Sequence, residues 1–107
     1  MALHEIDDLA LPNFICGNAR VVVKFTAEGC AVCEKLAPFF QDLSNQEYYS
    51  NIKFLKMDAK ENLIANRQVK SFGGTPFMVT YRNGVLETYK LVTNEAEIMI
   101  LINNLHE

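Results

Sequence analysis

The chain has 107 residues, of which 50% are hydrophobic and 21% charged, with three cysteines and no tryptophan. A chain of this length can build one hydrophobic core without a metal or a disulfide to hold it, so the cysteines are free to do chemistry. The net charge of −3 and the absence of a Lys/Arg cluster argue against nucleic acid and anionic membranes as partners. We expect residues 1–107 to form a single domain.

The N-terminal segment, residues 1–8, is acidic where a secretory signal needs positive charge. The longest apolar stretches, residues 21–23 and 98–102, are far shorter than the ~20 residues that cross a bilayer. The sequence therefore predicts a cytoplasmic protein with no membrane partner. In that compartment thiols are kept reduced, and a close pair of cysteines is more often catalytic or metal-binding than structural.

The first two predicted elements are a short helix and a buried strand. The helix covers residues 7–15, where Pro12 can divide it, and Gly17 ends it. The strand, residues 21–26, is β-branched and almost continuously apolar, which is typical of a strand covered on both faces.

A longer helix is predicted from Ala31 onward, where apolar residues recur at three- and four-residue spacing. Pro38 lies inside this helix and removes one backbone donor, so we expect a kink there rather than an end. The apolar spacing puts five side chains on one face: Val32, Leu36, Phe39, Phe40 and Leu43.

The next two predicted elements are a strand over residues 52–57 and a short helix over residues 61–69, with Leu63 and Ile64 directed inward. These lengths suit a strand and a helix that pack in alternation. The pattern therefore continues the strand-helix order of the first half of the chain.

A hairpin and a final helix complete the predicted fold. Residues 77–81 and 85–91 are expected to pair antiparallel, because Asn83-Gly84 between them tolerates the positive φ of a tight turn. The helix begins at Asn94, whose side chain can cap a backbone N–H while Glu97 reaches back. Its inward stripe has four members: Ile98, Leu101, Ile102 and Leu105. The element order predicts an α/β fold, a mixed sheet with helices on both faces.

Cys30 and Cys33 lie at the junction between the buried strand and the long helix. The unpaired N–H groups and positive dipole at a helix N-terminus favour the thiolate of Cys30, which is the form that attacks disulfides. Cys33, three residues later, can then close a disulfide with Cys30. Such a dithiol can pass two electrons to a disulfide, or accept two from a dithiol, through a mixed disulfide.

Two other interpretations of this pair stay open. The cysteines can be ordinary half-buried residues that happen to have this spacing. A zinc or iron–sulfur site needs four ligands, whereas Cys16 is the remaining cysteine and the two histidines, His4 and His106, lie near the chain ends. The position of the pair favours redox chemistry over a metal site.

Several segments together resemble the thioredoxin family. The segment VVVKFTAEGCAVCEKLAP, residues 21–38, resembles the active-site segment of that family. Residues 54–58, FLKMD, are similar to the third strand and its following aspartate, and residues 73–77, GGTPF, resemble the loop that holds the family's cis-proline. The resemblance covers nearly all of the chain after residue 20 and implies a thioredoxin fold with a central sheet of four to five strands.

The resemblance also implies which residues contact the substrate. It implies a cis peptide bond between Thr75 and Pro76, in a loop that offers the Thr75 backbone to an extended substrate segment. Gly29, Ala31 and Val32, beside the cysteines, are expected to line the same surface. Without the resemblance, Thr75-Pro76 would be a turn that leads into a strand.

Several positions depart from the family. Gly29 and Thr26 stand where aromatic residues are usual, so the cysteines are less shielded, and Ala31-Val32 replaces Gly-Pro, which leaves the redox potential and the direction of electron flow open. Val92 lies near the position of a groove glycine and is expected to narrow the peptide-binding surface.

Lys24 is the sharpest departure, because the family often has a buried acid there. Its charge can stabilise a thiolate and make the pair more oxidising, and it can act as a base if burial lowers its pKa. The structural alternatives are that Lys24 snorkels to solvent, or that it pairs with a carboxylate such as Asp58.

The remaining cysteine and several aromatic residues are expected to have packing roles. Cys16, which follows Phe14 and Ile15, is interpreted as a small buried hydrophobic residue. The same interpretation is given to the methionines and to three aromatic residues: Tyr48, Tyr49 and Phe72.

The sequence thus favours a thiol–disulfide oxidoreductase in which Cys30 is the nucleophile and Cys33 the resolving thiol. The family resemblance implies protein disulfides as substrates, a thiol reductant or reductase as electron source, and no cofactor or metal beyond the redox disulfide. We expect a monomer. The alternative is a binding or adaptor module on the same fold, with weak or no redox activity.

Overall fold

The fold is described from a computed structural model, which covers residues 3–59, 62, 66, 67, 70 and 74–107. This part of the chain contains a five-stranded sheet in the order β1-β3-β2-β4-β5, in which β1, β2 and β3 are parallel and β4 and β5 are antiparallel to their neighbours. The strands are β1 (Leu3–Glu5), β2 (Arg20–Thr26), β3 (Lys53–Asp58), β4 (Phe77–Arg82) and β5 (Val85–Leu91). The helices are α1 (Leu11–Gly17), α2 (Ala31–Ser44) and α3 (Glu95–His106), with a 3-10 turn at Glu47–Tyr49.

The predicted order is confirmed for the strands β2 to β5 and for the helices α2 and α3. Their observed ends differ from the predicted ends by about one residue. The edge strand β1 was not predicted, because Leu3–Glu5 is too short to show a period. It exists because it pairs with β3, with Leu3 opposite Phe54. α2 continues through Pro38 to Ser44, as expected.

The first helix differs from its prediction. It begins at Leu11 rather than at residue 7, and a turn precedes it in which the Ala10 amide donates to Oδ1 of Asp7 at 2.9 Å. Pro12 therefore lies in the first helical turn, where its missing donor costs no hydrogen bond, and does not divide the helix. Most of the predicted helix over residues 61–69, including Leu63 and Ile64, lies outside the described residues.

Two hydrophobic cores cover the two faces of the sheet, and β2 contributes to both. Val22 packs with side chains of α2 and α3, whereas Val21 and Val23 pack on the face that carries α1. All three valines are fully buried, as the apolar run predicted, and each contributes on the order of 1.5 kcal/mol by burial. The predicted inward stripe of α3 is also buried: Ile98, Leu101, Ile102 and Leu105.

Two of the residues predicted to fill the core are exposed. Cys16 is free and exposed on α1, so its interpretation as a buried residue is wrong. Tyr48 is 66% exposed, because in the 3-10 turn its neighbour Tyr49 takes the inward position. Tyr49 is buried and donates a hydrogen bond to Oδ1 of Asn103 at 2.7 Å. Met57 and Met78 are buried as expected.

Phe72, which was also predicted to pack in the core, lies outside the described residues. Among the helices of the described part, none has both the length and the apolar character that crossing a membrane requires.

Candidate active site

The site lies where β2 ends and α2 begins. Gly29, in the loop between them, has a φ of +76°, a backbone conformation that favours glycine. Cys30 follows as the N-cap of α2, and Cys33 lies in the first turn of the helix. The two residues form a disulfide, with Cα atoms 5.2 Å apart.

The backbone of α2 contributes directly to the chemistry of Cys30. The Cys33 amide donates a hydrogen bond to Cys30 Sγ at 3.1 Å, as a capping side chain does in other helices. When the disulfide is reduced, this N–H and the positive end of the helix dipole stabilise negative charge on the same sulfur. The helix start therefore favours the thiolate form of Cys30.

The two cysteines differ in their access to solvent. Cys30 is half-buried at the rim, whereas Cys33 is only 4% exposed and faces the core. A partner disulfide can therefore reach Cys30 and not Cys33. The sulfur that a partner can contact first is therefore that of Cys30.

The loop before β4 lies at the same end of the sheet. The peptide bond between Thr75 and Pro76 is cis, as the resemblance implies, and the Pro76 carbonyl accepts a hydrogen bond from the Val92 amide at 3.0 Å. Register places Phe77 between Phe25 of β2 and Leu91 of β5. The loop, the end of β2 and the end of β5 thus lie together at one end of the strands, which we call the active-site edge.

Two predictions about valines near this edge are wrong. Val92 is fully buried in the core shared with α2 and α3, so its side chain does not narrow the surface beside the disulfide. Val32 was expected on the inward face of α2, but it is 37% exposed, whereas the neighbouring Cys33 and Leu36 take the buried positions of the helix. Ala31 is exposed beside it.

Lys24 is buried inside the protein and does not snorkel to solvent. It is 1% exposed and lies on β2, and its Nζ is 4.9 Å from the centroid of the Phe40 ring. Burial, and secondarily the positive charge of Lys56, lower the pKa of Lys24 from 10.5 to about 8. Near neutral pH this side chain can therefore both carry a charge and give up its proton.

Lys56 was missed by the sequence interpretation. Strand register places it directly beside Lys24, and it lines an open cavity of about 130 Å³ together with Cys33, Glu34 and Ala37. Nothing in the sequence pairs residues 24 and 56, because strand register is a tertiary property. The cavity gives solvent a route to the neighbourhood of the buried sulfur.

Metal binding finds no support in the described part of the chain, where no three histidine, cysteine or acidic side chains are grouped as ligands. A half-exposed sulfur at a helix N-terminus, bonded to a buried sulfur three residues later, instead defines a protein of thiol–disulfide exchange. The fold around it is the α/β arrangement that was expected.

The chain belongs to the thioredoxin family: the family model described as Thioredoxin matches residues 6–104. Relatives include "Thioredoxin" of Ictalurus punctatus, 47% identical over 49% of this chain and 47% of that protein, so this match spans about half of either chain. "Thioredoxin-3" of Dictyostelium discoideum is 33% identical over 90% of this chain and 88% of that protein. A solved structure of Plasmodium falciparum thioredoxin superimposes with a TM-score of 0.84 at 25% identity, covering 94% of this chain and 97% of that one.

Family membership and the Cys30–Cys33 pair together make the protein a thiol–disulfide oxidoreductase with a thioredoxin fold. The redox-active disulfide is the group that carries its chemistry, as in the family.

Proposed function

We propose that the protein reduces protein disulfides, with Cys30 as nucleophile and Cys33 as resolving thiol. The Cys30 thiolate attacks one sulfur of the target disulfide, which breaks that bond, releases one target thiolate and forms a mixed disulfide. The Cys33 thiolate then attacks Cys30 Sγ, which releases the second target thiolate and restores the Cys30–Cys33 disulfide. The target gains two electrons, and its two thiolates take up protons from water. The observation that carries the proposal is the hydrogen bond that the Cys33 amide donates to Cys30 Sγ.

The proposed contact surface for the target surrounds Cys30. Gly29, Ala31 and Val32 are at the exposed rim of the helix start, and the Thr75-Pro76 loop is at the same edge of the sheet. An extended target segment can pair with the Thr75 backbone in the manner of an added strand. The absence of a side chain at Gly29 leaves this surface open.

Lys24 is proposed to tune the resolving thiol. Its buried position and its lowered pKa support a role in which the ammonium stabilises charge that develops on Cys33, and the amine takes up the proton of that thiol. A stabilised thiolate favours the dithiol state, so Lys24 is expected to make the pair more oxidising. Lys24→Met should therefore lower the reduction potential of the pair, measured against a glutathione buffer, and an unchanged potential would contradict this role.

The cellular setting of the reaction is also proposed. We infer a cytoplasmic, monomeric, single-domain protein that takes part in electron transport and receives electrons from a thiol reductant or a thioredoxin reductase. Proteins of the thioredoxin family act on protein disulfides and are reduced by a reductase, which supports these two classes of partner. Light scattering tests the monomeric state, and incubation with a purified reductase and NADPH tests the electron source.

The central experiment is insulin reduction with dithiothreitol as the electron source, followed by turbidity. The wild-type protein is expected to accelerate insulin reduction, and Cys30→Ser is expected to abolish this acceleration. Cys33→Ser should accumulate a mixed disulfide that mass spectrometry detects. Cys16→Ser, which changes a free cysteine on α1, is the matched control and should retain full activity. If wild type does not cycle, or if Cys30→Ser remains active, the chain is instead a binding module.

A further inference from the structure

The edge strand β5 is much more exposed to solvent than the neighbouring strand β4. All seven of its residues, Val85–Leu91, are exposed, although β4 beside it begins with four buried residues. As the last strand in the sheet order, β5 also has one row of backbone N–H and C=O groups that no other strand of the described residues pairs with. Of the eight large hydrophobic side chains recorded as exposed in the described residues, four belong to β5.

Three of these side chains lie on one face of the sheet. Register places Leu86 opposite Tyr81, Tyr89 opposite Val79 and Leu91 opposite Phe77. Those β4 residues belong to the core on the α1 face or pack against it. The irregular pairing next to Thr80 shifts Leu86 onto this face. We name Leu86, Tyr89 and Leu91 the β5 strip.

One end of the β5 strip lies at the active-site edge of the sheet. Leu91, at one end of the strip, shares a register row with Phe77, which directly follows Pro76. β5 is two strands away from β2, or about 10 Å, a distance that an extended chain covers in about three residues. A chain whose disulfide is at Cys30 can therefore extend onto the strip.

The charges of β5 indicate what kind of segment fits there. Glu87 pairs with Arg82 at 3.0 Å, and Lys90 pairs with Glu97 at 2.9 Å. Both charges of the strand are thus matched within the protein, while the three side chains of the strip are apolar or aromatic. An uncharged occupant suits this surface better than a charged one.

We propose that the β5 strip is a second docking surface for the protein substrate, which binds an uncharged, apolar, extended segment about three or more residues from the disulfide under attack. The segment adds to the free edge of β5 as a strand and places alternate side chains against Leu86, Tyr89 and Leu91. This inference rests on the proposed reduction of protein disulfides and extends it to the choice of substrate.

The test compares two disulfide peptides with the same loop, one extended by alternating Val and Thr and the other by Gly and Ser. In Leu86→Ser/Tyr89→Ser, KM for the Val/Thr peptide should rise about fivefold with kcat unchanged, as expected when anchoring contacts are removed. KM for the Gly/Ser peptide, and the rate with the small disulfide 5,5′-dithiobis(2-nitrobenzoic acid), should not change. Ile100→Ser removes a side chain of similar exposure on α3 and is the matched control.

The outcomes separate this inference from the proposed function. If wild type reduces neither peptide nor the small disulfide, the proposed function fails. If it reduces all three but the double variant shows wild-type KM for the Val/Thr peptide, docking at the β5 strip is overturned. Leu86→Thr/Tyr89→Thr, which keeps β-propensity, is used if the serine variant loses its rate with the small disulfide. If ultracentrifugation shows that wild type dimerises through β5 and the variant does not, the occupant is a second copy and the proposal is wrong.

Discussion

The Nζ of Lys24 lies 4.9 Å from the centroid of the Phe40 ring, inside the core between β2 and α2. A lysine ammonium in this place gives up hydration and recovers only part of that free energy from the aromatic ring. The buried ammonium of Lys24 therefore lowers the stability of the folded protein, and Lys24 is the first residue to test.

Lys24→Met is expected to stabilise the oxidised protein at pH 7 by about 1–2 kcal/mol. A pKa lowered from 10.5 to about 8 means that the folded state disfavours the Lys24 ammonium by a few kcal/mol. Lys24→Met removes this penalty, but it also removes the contact between the ammonium and the Phe40 ring, which is worth about 1 kcal/mol. Between pH 8 and 10.5 the unfolded chain binds the proton and the folded protein does not, so wild-type stability rises with pH there. The variant lacks this rise, and its advantage should shrink across that window.

Urea unfolding of the oxidised proteins at several pH values measures this difference. Lys35→Met, which replaces an exposed lysine on α2, is the control and should show no comparable gain. A Lys24→Met protein that is less stable than wild type at pH 7, or an advantage that is constant from pH 7 to 10, contradicts the prediction.

Glu97 is expected to control the acid stability of α3. Hydrogen bonds from Lys90 and Thr93 lower the pKa of its carboxyl from 4.5 to about 2. Because this folded-state pKa is lowered, the stability that the carboxylate provides is present above pH 4.5 and is lost as pH falls toward 2. Glu97→Gln keeps an acceptor carbonyl without the charge, so its deficit relative to wild type should be largest above pH 4.5 and should vanish near pH 2.

Thermal unfolding from pH 2 to 7 tests this, with Glu95→Gln as the control, since Glu95 is an exposed acid in the same helical turn. A deficit of equal size at pH 2 and pH 6 would show that the charge of Glu97 is not the cause.

Gly29→Ala is expected to lower the free energy of unfolding by about 1 kcal/mol, because an L residue is strained at a φ of +76°. A Cβ at this position meets nothing within 4 Å, so the cost is conformational and not steric. Gly29→Asn should cost less, since asparagine tolerates this backbone region better.

Gly17→Ala provides the comparison for Gly29→Ala in chemical denaturation. Gly17 is helical, has equally open surroundings, and its replacement should stabilise by about 0.5 kcal/mol. Opposite signs for the two substitutions support the backbone argument, whereas equal signs refute it.

Cys30 of the reduced protein is expected to react with iodoacetamide at pH 6.5 at least about tenfold faster than Cys16, because the Cys33 amide and the helix N-terminus stabilise its thiolate. Both thiols are accessible, but Cys16 lies near the opposite end of its helix, α1. Peptide mapping by mass spectrometry gives both rates in one sample. Comparable rates would mean that the helix start does not activate Cys30.

The sequence by itself determined the position of the redox pair. Cys30 and Cys33 follow a buried strand and open a helix, and both properties are local: an apolar β-branched run and a helical apolar period. The hairpin at Asn83-Gly84 and the cap at Asn94 are equally local, since each depends on backbone conformation or on hydrogen bonds within a few residues. For these features the sequence is sufficient.

Tertiary structure alone decided what surrounds the pair. Lys24 is buried because α2 covers its face of the sheet, and Lys56 stands beside it because β2 and β3 pair in one register. Val92 turns inward and Cys16 outward for the same reason, because burial depends on which elements pack against a residue. The sequence of this protein therefore specifies the reactive sulfur atoms, whereas long-range packing specifies the charges and surfaces with which those atoms work.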